Sequence, residues 1–129
     1  MENNFVLVFE NARIVIEECD FSMDNICSLV RCDFFDVVRF EHNHAENLVL
    51  VCDDCGRITR GINLFASSIF GKVLYGPVML CCESSGSFEK SLVGLSSSFF
   101  TELLSSLDSL HVNVVNNTSF DFSEVKNNG

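Results

Sequence analysis

Apolar positions along the chain recur at two different spacings, and the switches between them mark the elements. Residues 5–9 (FVLVF) form an unbroken apolar run, and residues 12–18 (ARIVIEE) alternate Arg13, Val15 and Glu17 against Ile14 and Ile16. That period of two marks a half-buried strand, and Asn11, which tolerates positive φ, suits a hairpin turn between the runs. The next stretch, DFSMDNICSLVRC, changes period. Ile26, Leu29 and Val30 fall at helical spacing, with Cys27 and Cys32 flanking that face, and Ser22 or Asp24 is placed to cap a helix over 24–32. Strand character returns at 34–41 with the β-branched pair Val37 and Val38, and again at LVLVCDD, with the polar turn EHNHAEN between them.

Beyond Asp54 the pattern is less regular. Gly56 predicts a left-handed turn residue, and RITRGI a short strand. Residues 63–71 (NLFASSIFG) predict a short helix stopped by Gly71. KVLYGPVMLCCE is strongly β, but Pro77 cannot donate to a ladder, so Gly76-Pro77 predicts a bulge or an edge. ESSGSFEKS reads as a polar loop. LSSSFFTELLSSLDSL carries the clearest helical stripe, Phe99, Phe100, Leu103, Leu104 and Leu107, with Ser96 or Ser97 as its cap. The order β-β-α-β-β-(β)-α-β-α predicts one compact α+β domain over 1–111, with a mixed, mostly antiparallel sheet and two or three helices. The Asn-rich segment 112–129 predicts at most an edge strand, HVNVV, and then a loose tail.

Composition narrows the possible functions. Eight Lys and Arg against eighteen Asp and Glu leave a formal charge of −10 over 129 residues. That field repels phosphate backbones, so direct nucleic-acid binding is not expected. A DNA mimic that occupies a basic groove stays open. Seven cysteines, an odd number, behind an acidic N-terminus predict a reducing cytoplasm rather than a disulfide scaffold, and no apolar run reaches membrane-spanning length.

In the order of these motifs, residues 24–107 resemble a phage and mobile-element family, domain of unknown function 3846. The matching features are DNICSLVRCDFFDVVRF, the strand and acidic glycine turn LVLVCDDCGRI, the helix INLFASSIFG led by asparagine, the strand VLYGPVMLC, and LVGLSSSFFTELLSSL. Cys55 stands between the acids and the glycine of that family's turn, so cysteine is not a family requirement. Leu64 stands where the family has a basic or polar residue. The resemblance implies an accessory protein of a virus or mobile element, acting in the host cytoplasm, and no established chemistry.

Several constellations carry candidate chemistry. Cys52 and Cys55 have the two-residue spacing that lets both sulfurs reach one zinc, but a structural site needs a second pair. Cys81 and Cys82 are adjacent, so a strand sends them to opposite faces. His42 and His44 lie about 20 Å from Cys52 if 34–41 and 47–52 form a hairpin. A redox dithiol at Cys52 and Cys55 would enclose Asp53 and Asp54, whose charges disfavour a thiolate. As ordinary packing, Cys52 is buried strand and Cys55 a turn residue. No nucleophile–histidine–acid set or phosphate-cradling loop is spelled out, so no enzyme, cofactor or metal is expected.

Arg57, Arg60 and Lys72 bring three of the eight cations close to Asn63. With Ser67 and Tyr75 they make a candidate site for a small anionic, nucleotide-like ligand. The bland alternative is a solvated turn paired with the acidic surface. Three functions therefore stay open. The first is a non-enzymatic binder of such a ligand or of a host protein, countering host defence. The second is an acidic protein–protein inhibitor or DNA mimic without a pocket, and the third a zinc-stabilised module. The apolar excess of the Phe99–Leu107 helix and the VLYGPVMLCC strand predicts a homodimer.

Overall fold

The structure, a computed structural model, describes residues 4–42, 47–84, 91–109 and 112–119. It is an α+β domain built on one sheet of seven strands. The first two strands, β1 (Phe5–Glu10) and β2 (Arg13–Glu18), form the expected hairpin, with Glu10 opposite Arg13. The positive φ of its turn falls on Ala12 (72°) rather than on Asn11. The other strands are β3 (Phe35–Val38), β4 (Leu48–Asp53), β5 (Val78–Glu83), β6 (Leu92–Val93) and β7 (Val114–Asn116). Their order across the sheet is β3-β4-β5-β1-β2-β7, and β6 pairs with the end of β5. All pairings are antiparallel except that of β2 with β7.

Both faces of the central strands are covered. Alternation along β1 sends Val6 and Val8 to one face and Leu7 and Phe9 to the other. Val6, Val8, Val49, Val51, Met79 and Cys81 share the first face with Ile26 and Val30 of α1 (Met23–Val30). Leu7, Phe9, Leu50, Leu80 and Cys82 share the second with Ala66 of α3 (Leu64–Phe70) and with Phe99, Phe100 and Leu104 of α4 (Ser97–Ser109). The helix and strand whose apolar excess suggested a second copy are thus largely buried inside one chain. No helix among the described residues is long and apolar enough to cross a membrane.

The helix boundaries follow the expected chemistry. Ser22 caps α1 by accepting from the Asn25 N–H at 3.1 Å, and Ser96 accepts from the Phe99 N–H at 3.3 Å. Gly71 ends α3 in the left-handed region, φ 69°. Three local expectations fail. RITRGI is not a strand: Gly56–Thr59 is a single helical turn, α2, and Ile62 makes only an isolated bridge to Tyr75. Gly56 does not take positive φ. Glycine is needed there for space, because a Cβ would lie 3.1 Å from the Tyr75 Cβ and 3.3 Å from its carbonyl oxygen. Finally, 72–75 is not strand: β5 begins only at Val78, after the interruption expected at Gly76 (φ 69°) and Pro77. The short strand β6 had no sequence signal, and the loop predicted over 83–91 falls mainly outside the described residues.

A candidate docking surface at the α2 end of the sheet

The sheet register gathers one set of chain ends. Phe35 pairs with Asp53, Phe9 with Val78 and Glu10 with Arg13. The segments 31–34, 54–63 and 73–77 therefore emerge at the same end of the sheet, and α2 sits there.

Asp53 organises this end. Its Oδ1 accepts from the Cys55 N–H at 2.9 Å, and its Oδ2 lies 3.2 Å from the Thr59 hydroxyl and 3.5 Å from Arg60 Nε. The Cys55 carbonyl accepts from the N–H groups of Ile58 and Thr59. An aspartate that captures a backbone N–H two residues on makes an Asx turn. Here that turn winds α2 and diverts the chain from the strand that RITRGI predicts. Arg60 lies along Gly76, where a Cβ would come within 3.1 Å of its Cγ, and it also donates to the Arg31 carbonyl.

The candidate ligand residues separate into two groups. Asn63 is buried, and its amide is fully used: Nδ2 donates to the carbonyls of Phe9 (2.9 Å) and Gly76 (2.8 Å), and Oδ1 accepts from the Ala66 N–H (3.0 Å). The Ser67 hydroxyl accepts from the Leu74 N–H at 2.8 Å. Arg60 is held by Asp53 and Arg31. These three side chains build the corner on which α3 starts. Arg57 and Lys72 are exposed, and among the described residues neither makes an ion pair. Half-buried Tyr75 and Lys72 line a hollow of about 370 Å³, but the Asp53 carboxylate lines it too and opposes an anion there. Asn63 and Ser67 are thus committed to backbone partners, and of the candidate residues Lys72 and Tyr75 share the hollow while Arg57 is not part of its lining.

The cysteines at this end do not act as the spacing suggested. Cys52 lines the hollow beside Tyr75, and Cys55 lines a separate groove of about 820 Å³ between α1 and α2. Burial first, and then the charges of Asp36, Asp53 and Asp54, push the Cys52 thiol up to about 11. Cys81 and Cys82 face opposite sides of the sheet, as adjacent strand residues must. No group of three or more His, Cys, Asp or Glu among the described residues is placed to hold a metal. The His42 ring lies tilted against Phe40, centroids 5.1 Å apart, while His44 and His111 lie outside the described residues.

The buried thiols make stability pH-dependent. Burial raises Cys19 and Cys81 as well as Cys52. A raised folded-state pKa means that the folded chain keeps protons the unfolded chain gives up, so stability falls as pH rises. The expected window opens at the ordinary thiol value of roughly 8.5 and extends to about 11 for Cys52. Thermal melts from pH 7 to 10.5 should show Tm falling above pH 9. Replacing Cys52 with Val should flatten that slope, and an unchanged slope would rule Cys52 out as a contributor.

What sequence reasoning missed is the apolar character of this end. Ile58 is 83% exposed, Phe34 and Leu64 67% each, and Val73 66%, with Ile62 also exposed. Each reads as a core residue in a periodic pattern, so only the assembled fold reveals the exposure. No family model matches the chain, and no match is found among the curated proteins or the solved structures.

Proposed function

We propose that this chain is a non-enzymatic accessory protein that docks onto a protein partner through the α2 end of its sheet. In the viral or mobile-element setting that the motif order implies, the partner is a host protein, and a component of host defence fits that role. One observation carries the reading: Phe34, Ile58, Ile62 and Val73 hold their side chains in water at the end of the sheet where 31–34, 54–63 and 73–77 emerge, with Met23 of α1 and Leu64 and Ile69 of α3 also exposed. Exposed apolar groups gathered between polar ones are the usual anchors of a protein interface. Asp24 and Asp33 on the groove wall, and the overall charge of −10, suit a partner with a basic rim.

The test is co-purification from host cells with wild-type chain, Ile58→Asp and Phe34→Asp, folding being checked by circular dichroism. A stoichiometric partner that both substitutions release supports the reading. Equal recovery with all three chains overturns it. A partner released by salt alone and indifferent to Ile58 indicates the DNA-mimic alternative. Light scattering on the same samples identifies a second copy as the occupant if the wild type is dimeric and Ile58→Asp monomeric.

A small anion at the same end is the second reading, favoured by the exposed Lys72 beside Tyr75 in that hollow and by the exposed Arg57 on α2. It requires a saturable rise in Tm with a nucleotide, lost in Arg57→Ala or Lys72→Ala.

A further inference from the structure

Cys27 and Cys32 occupy the two contact positions of the motif that ends α1. Arg31 is left-handed there (φ 60°, ψ 54°), and its N–H bonds to the Cys27 carbonyl. The Cys32 N–H reaches the same carbonyl at 2.9 Å. Such a Schellman-type end brings the residue after the left-handed position against the side chain five residues earlier, a contact ordinarily made by two apolar groups. Here both contact positions carry thiols, and the Cys27 thiol donates to the Asp33 carbonyl, one residue beyond Cys32, at 3.5 Å. Both cysteines are partly exposed, and both line the 820 Å³ groove.

We propose that Cys27 and Cys32 form a modification site, a dithiol that a small disulfide of the glutathione class oxidises to an intramolecular disulfide. The site is neither the pair suggested by the Cys52–Cys55 spacing nor dependent on the docking reading. Burial first, and then Cys27 and the nearby Asp53 and Asp33, push the Cys32 thiol up to about 12, so it keeps its proton at neutral pH. With its proton lost, the Cys27 sulfur attacks one sulfur of the small disulfide, whose S–S bond breaks. One small thiolate leaves and takes up a proton. Cys32 then gives up its proton and attacks the Cys27 sulfur, releasing the second small thiol. The two protein thiols lose two electrons in total, and the small disulfide gains them as two thiols.

The disulfide would tie the last turn of α1 to the start of the α1–β3 connection, without asking the backbone to move far. A buried or remote pair would not form it, because a disulfide needs Cα atoms within about 7 Å.

The test uses the reduced full chain incubated with excess oxidised glutathione, blocked by alkylation and digested with trypsin without reduction. Cleavage after Arg13, Arg31 and Arg39 places Cys27 in peptide 14–31 and Cys32 in peptide 32–39. The expected product is these two peptides joined, lost in Cys27→Ser and in Cys32→Ser. Peptide 14–31 also holds Cys19, so Cys19→Ala must keep the linkage. Persistence of the link in Cys27→Ser overturns the assignment. So does a stable glutathione adduct on Cys27, or a link to Cys55 in place of Cys32. Complete alkylation of Cys27 and Cys32 after oxidation equally overturns it.

Discussion

Replacing Asn63 with alanine is expected to cost the fold about 3–5 kcal/mol, because three backbone groups, two buried and one half-buried, each lose a partner worth roughly 1–3 kcal/mol when left unsatisfied. The sum falls short of the arithmetic total because neighbouring losses are not additive. The three groups are the carbonyls of Phe9 and Gly76 and the N–H of Ala66. They belong to β1, to the break before β5 and to the first turn of α3, so the one amide fastens three segments together. Denaturant unfolding should show a lower midpoint at an unchanged slope. A loss below about 1 kcal/mol would mean that water replaces the amide and that the corner is looser than described.

Asn63→Asp tests the same corner by charge. The carboxylate can still accept from Ala66, but it would turn an oxygen toward two carbonyls that the amide now reaches at 2.8 and 2.9 Å. Its folded-state pKa should rise, so the folded form takes up a proton that the unfolded form does not. The deficit relative to wild type should therefore be greatest at neutral pH and shrink toward pH 4, where the protonated acid donates to one carbonyl. A deficit that grows with acid would contradict this.

Phe9→Ala is the second large effect, at about 3–5 kcal/mol. Phe9 is 2% exposed, with the Phe70 ring 5.0 Å away in an edge contact and Phe65 at 6.2 Å. Phe70 in turn meets Phe40 edge-on at 4.9 Å. Removing the Phe9 ring opens a cavity under α3 and breaks this aromatic chain at its root. Phe9→Leu keeps most of the volume and should cost only about 1–2 kcal/mol. Phe34→Ala, at a residue 67% exposed, should stay within about 0.5 kcal/mol. If Phe34→Ala proved as costly as Phe9→Ala, the apolar residues at the α2 end would be structural rather than a docking surface.

The two cysteine pairs show how spacing misleads. Cys52 and Cys55 draw attention because two intervening residues suit a chelate, yet Asp53 turns the chain between them and they line different hollows. Cys27 and Cys32 have no recognised spacing, yet both occupy the contact positions of one helix end. Sequence separation sets what is possible, while the backbone conformation between two residues decides which way they point.

Much of the secondary structure was legible in the chain. The hairpin, α1, α3 and α4 follow from period and caps: alternation at Ile14 and Ile16, Ser22 before α1, Gly71 after α3, and the Phe99–Leu104 stripe. These signals are local, because a strand or helix buries one face at a fixed period whatever it packs against. The separation of Cys81 from Cys82 was legible for the same reason. Asn63 was also found, and the structure gives its amide three backbone partners. A polar residue before a helix reads equally as a ligand group or as a cap, and only the arrival of Phe9 and Gly76 beside it makes it structural. Tertiary structure alone decided the rest. The parallel pairing of β7 with β2, the helical turn at Gly56–Thr59, the exposure of Ile58 and Val73, and the meeting of Cys27 with Cys32 depend on long-range register or on a side chain such as Asp53 capturing the backbone. Such contacts leave no period in the sequence, because the residues that make them are set by where other segments come to rest.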